Sequence, residues 1–301
     1  MTFDQIRSFY LVAVLGTYAK AAEHLNATQP TISARIVALE GRLGVKLFDR
    51  SGHRVALTPE GRSFLRSAEK LLDIQADVFR RFDKPGIRGI VRIGASDTMA
   101  VTWIPSFIAE LRAANPNAEF ELHIGPSYRL HEELLARKID IAFIVGPIAS
   151  PELISHPLCR CPLVFTAAPS LGLHLRRIVS ADIEKMDIFT FERMTRPHQE
   201  LVRVLRTKNL SPRIHPVNSL QTVVLMVKKG LGVGVVPFGA VEEDVADGNL
   251  AVLNTDFSLS DTPFIICYPS GPDSHAVETL AQHVKEFLKA RGSSDSIRII
   301  D

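Results

Sequence analysis

At Lys84-Pro85-Gly86 the apolar residues change their period. Before it they recur every three or four residues, the spacing of a helix with one buried face, broken only by a short alternating stretch at 45–57. After it, β runs alternate with helical segments as far as the closing helix at 276–289. One fold class cannot serve both sides, so the chain must hold a helical module followed by an α/β body. A length of 301 residues fits two or three domains. At 46% apolar and 23% charged, it carries enough apolar surface to bury a core.

In the helical module, Thr2 and Gln5 have capping-box spacing ahead of a first helix that Gly16 ends. Thr17 can cap a second helix at 18–25, and Asn26-Ala27 make a tight break. Thr28 can cap a third, with Pro30 in the first turn, where a missing N–H is harmless. Ile32, Ile36, Leu39 and Leu43 give that helix its apolar stripe, and Gly44 stops it. The alternating stretch 45–57, with Ser51-Gly52 at a turn, reads as a two-stranded wing. Thr58-Pro59-Glu60 then starts a helix of more than twenty residues, with Phe64, Leu65, Ala68, Leu71, Leu72 and Val78 on a broad apolar face. Its length predicts a partner helix from a second subunit over packing on its own body.

The formal charge of +2 conceals an asymmetry. Residues 1–88 hold 14 Lys and Arg against 9 Asp and Glu, whereas residues 89–301 hold 21 against 24. A basic end on a mildly acidic body implies a polyanion partner at that end. Helix, short break, helix, with small alanines where the two would cross, is the geometry of a helix-turn-helix. Its second helix would present Thr28, Gln29, Pro30, Thr31, Ser33 and Arg35 to the major groove. Glutamine can read adenine, arginine can read guanine, and proline or a threonine methyl can touch thymine. Arg50, His53 and Arg54 on the wing would meet phosphates or the minor groove. Thr28 serves equally as a plain helix cap, and Arg35 as a solvated charge.

Several segments carry a family resemblance. They are the run from Ala21-Ala22-Glu23-His24-Leu25 through Gln29-Pro30-Thr31-Ile32-Ser33, then Leu39-Glu40, Leu43-Gly44-Val45-Lys46-Leu47-Phe48-Asp49-Arg50 and Leu57-Thr58-Pro59-Glu60-Gly61. Together they resemble the LysR-type transcriptional regulators, densely over about the first 65 residues. Looser matches at Asn115-Pro116, Lys138-Ile139-Asp140-Ile141-Ala142 and Gly230-Leu231-Gly232-Val233-Gly234 extend the likeness over nearly the whole chain. The resemblance implies a winged helix-turn-helix at 1–58, a dimerising linker helix at 59–87 and a two-lobed effector domain at 88–301, like the periplasmic binding proteins. Lobe 1 would hold about 88–161 and 268–301, and lobe 2 about 162–267. Double-stranded DNA, a small-molecule effector, a second copy of the chain in a dimer and then a tetramer, and RNA polymerase are the partners implied. Ala34 stands where the family often has Arg or Gln, and Lys138 where glycine is common.

In a two-lobed α/β fold, ligands sit between the lobes, at strand ends and helix N-termini. That rule nominates Ser96 and Thr98 after the first strand, Ser127 after the second, Thr195 and Arg196 before a helix of the second lobe, and Gln221 with Asn218 before another. The resemblance puts effector contacts at Thr98 and Ser127. Hydroxyls and helix ends favour an anion, so a small carboxylate is the expected effector. Cys161 and Cys267 should fall where the chain crosses between lobes and returns. That placement would permit a redox pair, against the plainer reading of two buried reduced thiols.

No phosphate loop, metal-spaced His/Cys cluster or Gly-x-Ser-x-Gly elbow is present, so neither an enzyme nor a cofactor or metal is expected. The longest uncharged run, 161–175, is broken by Pro162, Pro169 and Gly172, so no membrane span is expected. The start has no signal-peptide pattern, which points to the cytoplasm and away from a secreted solute-binding protein. Three cysteines agree with a reduced compartment.

Overall fold

The computed structural model describes residues 1–49, 55–82, 87, 89–271 and 275–300. The change of period at Lys84-Pro85-Gly86 lies outside them. The chain opens with α1 (Phe3–Leu15), α2 (Tyr18–His24) and α3 (Gln29–Leu43). Each start is capped as the sequence predicts. The Thr2 N–H donates to Gln5 Oε1 at 2.9 Å, and Thr17 and Thr28 each accept a backbone N–H three residues on. Gly16 and Gly44 close their helices in the left-handed conformation. Strands β1 (Phe48–Asp49) and β2 (Ala56–Leu57) pair antiparallel as the wing. The long helix α4 (Pro59–Phe82) follows. Ile6, Phe9, Ile32, Ile36, Leu39, Leu47, Ala68 and Leu72 share one core, so the first half of α4 packs on its own domain. Phe9 stands between Phe48 and Phe64 at ring distances of 5.2 and 5.0 Å.

The first lobe runs β3 (Gly89–Ala95), α5 (Asp97–Thr102), α6 (Ile104–Ala114), β4 (Ala118–Ile124), α7 (Ser127–Leu135), β5 (Ile141–Val145) and β6 (Leu153–Cys161). The second runs β7 (Leu163–Ala167), α8 (Ser180–Ile183), β8 (Asp187–Phe191), α9 (Arg196–Thr207), β9 (Arg213–Val217), α10 (Leu220–Lys228), β10 (Val233–Pro237), α11 (Glu242–Ala246) and β11 (Ala251–Val252). The chain then returns to the first lobe with β12 (Thr262–Pro269), α12 (His275–Arg291) and β13 (Arg298–Ile299). The sheets have the orders β13-β6-β12-β5-β3-β4 and β11-β7-β10-β8-β9. Apolar side chains line both faces of each. In the first, α6 and α12 cover one face and α7 the other; in the second, α9 and α10 do so.

Several expectations need correction. The alternation of strands and helices predicts parallel sheets, but the sheets are mixed: β12 runs antiparallel to β5 and β6, and β7 antiparallel to β10 and β11. The strand β12 belongs wholly to the first sheet, so the return crossing lies at 261–262 rather than 267–268. The single helix expected around 99–114 is two, divided at Trp103, because Ile104-Pro105 begins a new first turn. The serine-rich segment 292–296 reads in the sequence as a frayed end, but it is ordered. Ser296 is buried, the Ser294 N–H bonds the Ile297 carbonyl, and β13 pairs with β6 beyond it. Cys161 and Cys267 cannot pair: Cys159 and Cys161 enter the core on one face of the sheet and Cys267 the core on the other. All three thiols are free and buried, and burial holds the Cys267 thiol up at about 11.

Candidate functional site

The α3 helix, the expected recognition helix, has one buried and one exposed side. Ile32, Ile36 and Leu39 bury one side of it, which leaves Thr28, Gln29, Pro30, Thr31 and Ala34 exposed on the other. Thr28 is committed to capping: its hydroxyl accepts the Thr31 N–H and lies 2.8 Å from the Thr31 hydroxyl. Ser33 is half-buried at the edge of this face. Arg35 is not on it. Its guanidinium turns back to α1, 3.5 Å from Ser8 Oγ and 3.6 Å from the Asp4 carboxylate. One position along a helix is about 100° of rotation, which is what separates Arg35 from Ala34. Arg50, His53 and Arg54 lie outside the described residues.

The second feature is a cleft of about 530 Å³ between the lobes. Both lobes reach it with the carboxyl ends of parallel strands. In the first sheet, β3 lies between β4 and β5; in the second, β8 lies between β9 and β10. Strand order thus reverses at β3 and at β8, and such reversals open a crevice in α/β sheets. The lining comes from the turns after these strands. The first lobe gives Ser96-Asp97-Thr98, Gly125-Pro126-Ser127-Tyr128 with His131, Val145–Ile148 and Phe264. The second gives Phe191-Glu192, Met194–Pro197 with Gln199, and Val217-Asn218.

Of the six residues nominated from the sequence, five line this cleft: Ser96, Thr98, Ser127, Thr195 and Arg196. Gln221 does not. Ser219 caps α10 and Leu220 is buried, so Gln221 is turned to solvent and Asn218 lines the wall instead. Two of the hydroxyls are already engaged. Ser127 Oγ accepts the Val145 N–H at 2.9 Å, and the Thr195 hydroxyl donates to the Glu192 carbonyl at 2.7 Å. Ser96 Oγ and His131 Nε2 are shielded from solvent and have no hydrogen-bond partner. Arg196 Nη1 donates to the Gly146 carbonyl across the cleft at 2.7 Å, and the Tyr128 hydroxyl donates to Glu192 Oε1 at 3.3 Å. Asp97, in the first lobe, lies near the Leu220 N–H of the second. Burial, reinforced by the nearby Glu192 charge, outweighs the backbone N–H groups beside it and raises the Asp97 pKa. His131 was legible from spacing, one turn after Ser127. Asp97 and Glu192 were not, because nothing in the sequence brings residues 97 and 192 together.

An exposed reading helix on a winged three-helix core, joined to two sheets that close over one cleft, defines a DNA-binding regulator governed by a small molecule. The comparisons carry this to a family. The model of the LysR substrate binding domain matches residues 84–289, and that of the bacterial regulatory helix-turn-helix protein, lysR family, matches residues 3–62. The chain belongs to the LysR family of transcriptional regulators. Among its relatives, the uncharacterized HTH-type transcriptional regulator YeiE of Escherichia coli is 30% identical over 254 residues, covering 83% of this chain and 85% of its own. The HTH-type transcriptional regulator CzcR of Bacillus cereus is 31% identical over 245 residues, covering 80% and 82%. Full-length OxyR from Pseudomonas aeruginosa superposes with a TM-score of 0.64 at 25% identity, covering 95% of each chain. Full-length LysG from Corynebacterium glutamicum, solved with bound effector Arg, shares the fold with a TM-score of 0.61 at 19% identity, covering 95% of this chain and 97% of its own. The family and these relatives are regulators, not enzymes. Among the described residues no helix is long and apolar enough to cross a membrane.

Proposed function

We propose that this regulator reads a two-fold-symmetric operator through α3 and changes its hold on it when a small carboxylate enters the cleft. The observation that carries the DNA half is the exposed row Gln29, Pro30 and Thr31 at the start of α3, opposite a fully buried face. Gln29 is the reader of an adenine edge, and Pro30 and Thr31 supply apolar contact to thymine. Thr28 and Arg35 hold the helix in place, Arg35 through its contacts to α1, and Ser33 sits at the rim. The wing residues Arg50, His53 and Arg54 contact phosphate or the minor groove.

Three features support a carboxylate. The nine-residue α7 and the twelve-residue α9 begin in the cleft walls, where helix N-termini leave unpaired N–H groups and a positive dipole end. The Arg196 guanidinium stands at the same wall. The shielded, unpartnered Ser96 Oγ and His131 Nε2 leave hydrogen-bonding capacity for a ligand. Effector contacts are Ser96, Thr98, Ser127, Thr195, Arg196 and His131. In the wider assembly two chains join through α4, dimers pair into tetramers, and bound protein meets RNA polymerase in the cytoplasm.

The test is selection of bound fragments from sheared genomic DNA by the purified protein, followed by sequencing. Enrichment of fragments sharing a symmetric motif is expected. Gln29→Ala should lose about 1–3 kcal/mol of discrimination at one base pair of each half-site, while Arg35→Ala leaves sequence preference intact. Fragments with no common motif, or an unchanged preference in Gln29→Ala, would overturn the assignment.

A further inference from the structure

The cleft holds two carboxylates, Asp97 and Glu192, one from each lobe, close enough for the charge of one to act on the other. No ion pair among the described residues includes either. Among the described residues, the nearest groups favouring the Asp97 charge are backbone N–H groups, and Glu192 accepts the Tyr128 hydroxyl at 3.3 Å. Next to Asp97 in sequence, and lining the same cleft, Ser96 is 7% exposed and its Oγ has no partner. Two carboxylates on opposite walls of one cleft repel unless a positive group enters, and a buried hydroxyl without a partner costs stability until one arrives.

Among the described residues no group of three His, Cys, Asp or Glu side chains could hold a metal ion, and two carboxylates fall short of the six to eight oxygens that calcium takes. The positive group must therefore belong to the organic ligand. Phe264, Val145, Ile148 and Met194 offer it an apolar wall. This inference rests on the reading that a carboxylate occupies the cleft, and adds a second charge to it. We infer that the effector is a zwitterion of the α-amino-acid type. Its ammonium group lies between Asp97 and Glu192 and donates to Ser96 Oγ, its carboxylate lies toward α7, α9 and Arg196, and its side chain lies on the apolar wall.

Matched triplets test this on the full-length protein by thermal shift and calorimetry: L-phenylalanine, 3-phenylpropionate and phenethylamine; L-leucine, 4-methylpentanoate and isopentylamine; and likewise across the amino-acid side chains. At least one amino acid should bind tenfold or more tighter than both its deaminated and its decarboxylated partner. Asp97→Asn, which keeps the size and shape of the side chain and removes its charge, should remove that advantage over the deaminated acid. Glu192→Gln, on the opposite wall, gives the same readout from the second lobe. Deaminated acids that bind as tightly as the amino acids, with no loss in either variant, would overturn the zwitterion and leave a simple carboxylate standing. Amines that bind as tightly as the amino acids would overturn both the zwitterion and the carboxylate. No shift from any triplet also overturns both.

Discussion

A single side chain fixes the wing to the reading helix. Glu40, near the end of α3, is 3% exposed and accepts the Leu47 N–H at 2.9 Å, the Phe48 N–H at 3.4 Å and Lys46 Nζ at 2.9 Å. Burial pushes its pKa up, but the bonds from Lys46, Leu47 and Phe48 together outweigh it, and the net shift is downward. A depressed carboxylate stabilises the fold above the ordinary glutamate range and loses that contribution as pH falls through its folded value. Glu40→Ala also strands two shielded N–H groups, so a loss of about 2–3 kcal/mol is expected. Urea unfolding of the full chain, followed in the N-terminal domain, should show the gap between wild type and Glu40→Ala closing as pH falls below the ordinary glutamate range. A gap constant across that range would mean that the charge contributes nothing. The sequence placed Glu40 beside Leu39 in a dense motif, but it could not show that the carboxylate turns inward, since that depends on where the wing folds back.

Among the elements, those with one strong local signal were legible. Caps at Thr2, Thr17 and Thr28 and left-handed glycines at 16 and 44 bounded three helices within a residue or two. Strands β6, β8 and β9 were not foreseen. Pro157 in the middle of β6 reads as a breaker. In the sheet its register with β12 shifts nearby, between Phe264 and Ile265, and its other neighbour, β13, pairs with Arg160 and Cys159 farther along. Strand β9 contains Pro216 and lies at the edge of its sheet, where a missing donor is tolerated. The five-residue β8 has no alternation, because both its faces are covered. The long α4 divides its duties along its length. Ala68 and Leu72 are buried in its own domain, while Ile74 and Val78, one turn apart, are 58% and 49% exposed. Apolar residues at that spacing on a solvent face are what a partner helix covers. Ile74→Lys with Val78→Lys should therefore shift the sedimentation velocity of the full chain toward monomer and leave its helical circular dichroism signal unchanged. An unaltered oligomer would put the dimer contact elsewhere.

On the scale of the whole molecule, one helix connects the cleft to the DNA-binding domain. The first residues of α7, Ser127 and Tyr128, together with His131, line the cleft. Just past its other end, Arg137 donates to the Tyr10 hydroxyl of α1 at 3.3 Å and to the Ser270 carbonyl at 2.9 Å, with its guanidinium 5.9 Å from the centre of the Tyr10 ring. A pocket of about 240 Å³ beside this contact is walled by Arg7, His24 and Leu25 from the N-terminal domain and by Ile139, Asp140, Pro269 and Val277 from the first lobe. Nine helical residues rise about 13 Å, and the Leu130 and Leu134 side chains bury α7 in the sheet between these two ends. A displacement of α7 at the cleft must therefore carry Arg137 with it, since a packed helix moves as a body more readily than it bends. The sequence could not have shown this link, because Tyr10 and Arg137 are 127 residues apart and each has an ordinary reading within its own domain. Arg137→Ala should loosen the N-terminal domain from the lobe. Hydrogen exchange should speed up at the amides of α1 around Tyr10 while the amides of β3 and β5 keep their protection. Tyr10→Phe removes only the hydroxyl acceptor and should give a smaller change in the same direction. Arg137→Lys keeps the charge but loses the planar fork that serves two acceptors at once, so it should resemble the alanine variant more than wild type. Equal exchange in all four proteins would mean that the contact holds nothing in solution, and that a signal from the cleft must travel to α3 through α4 instead.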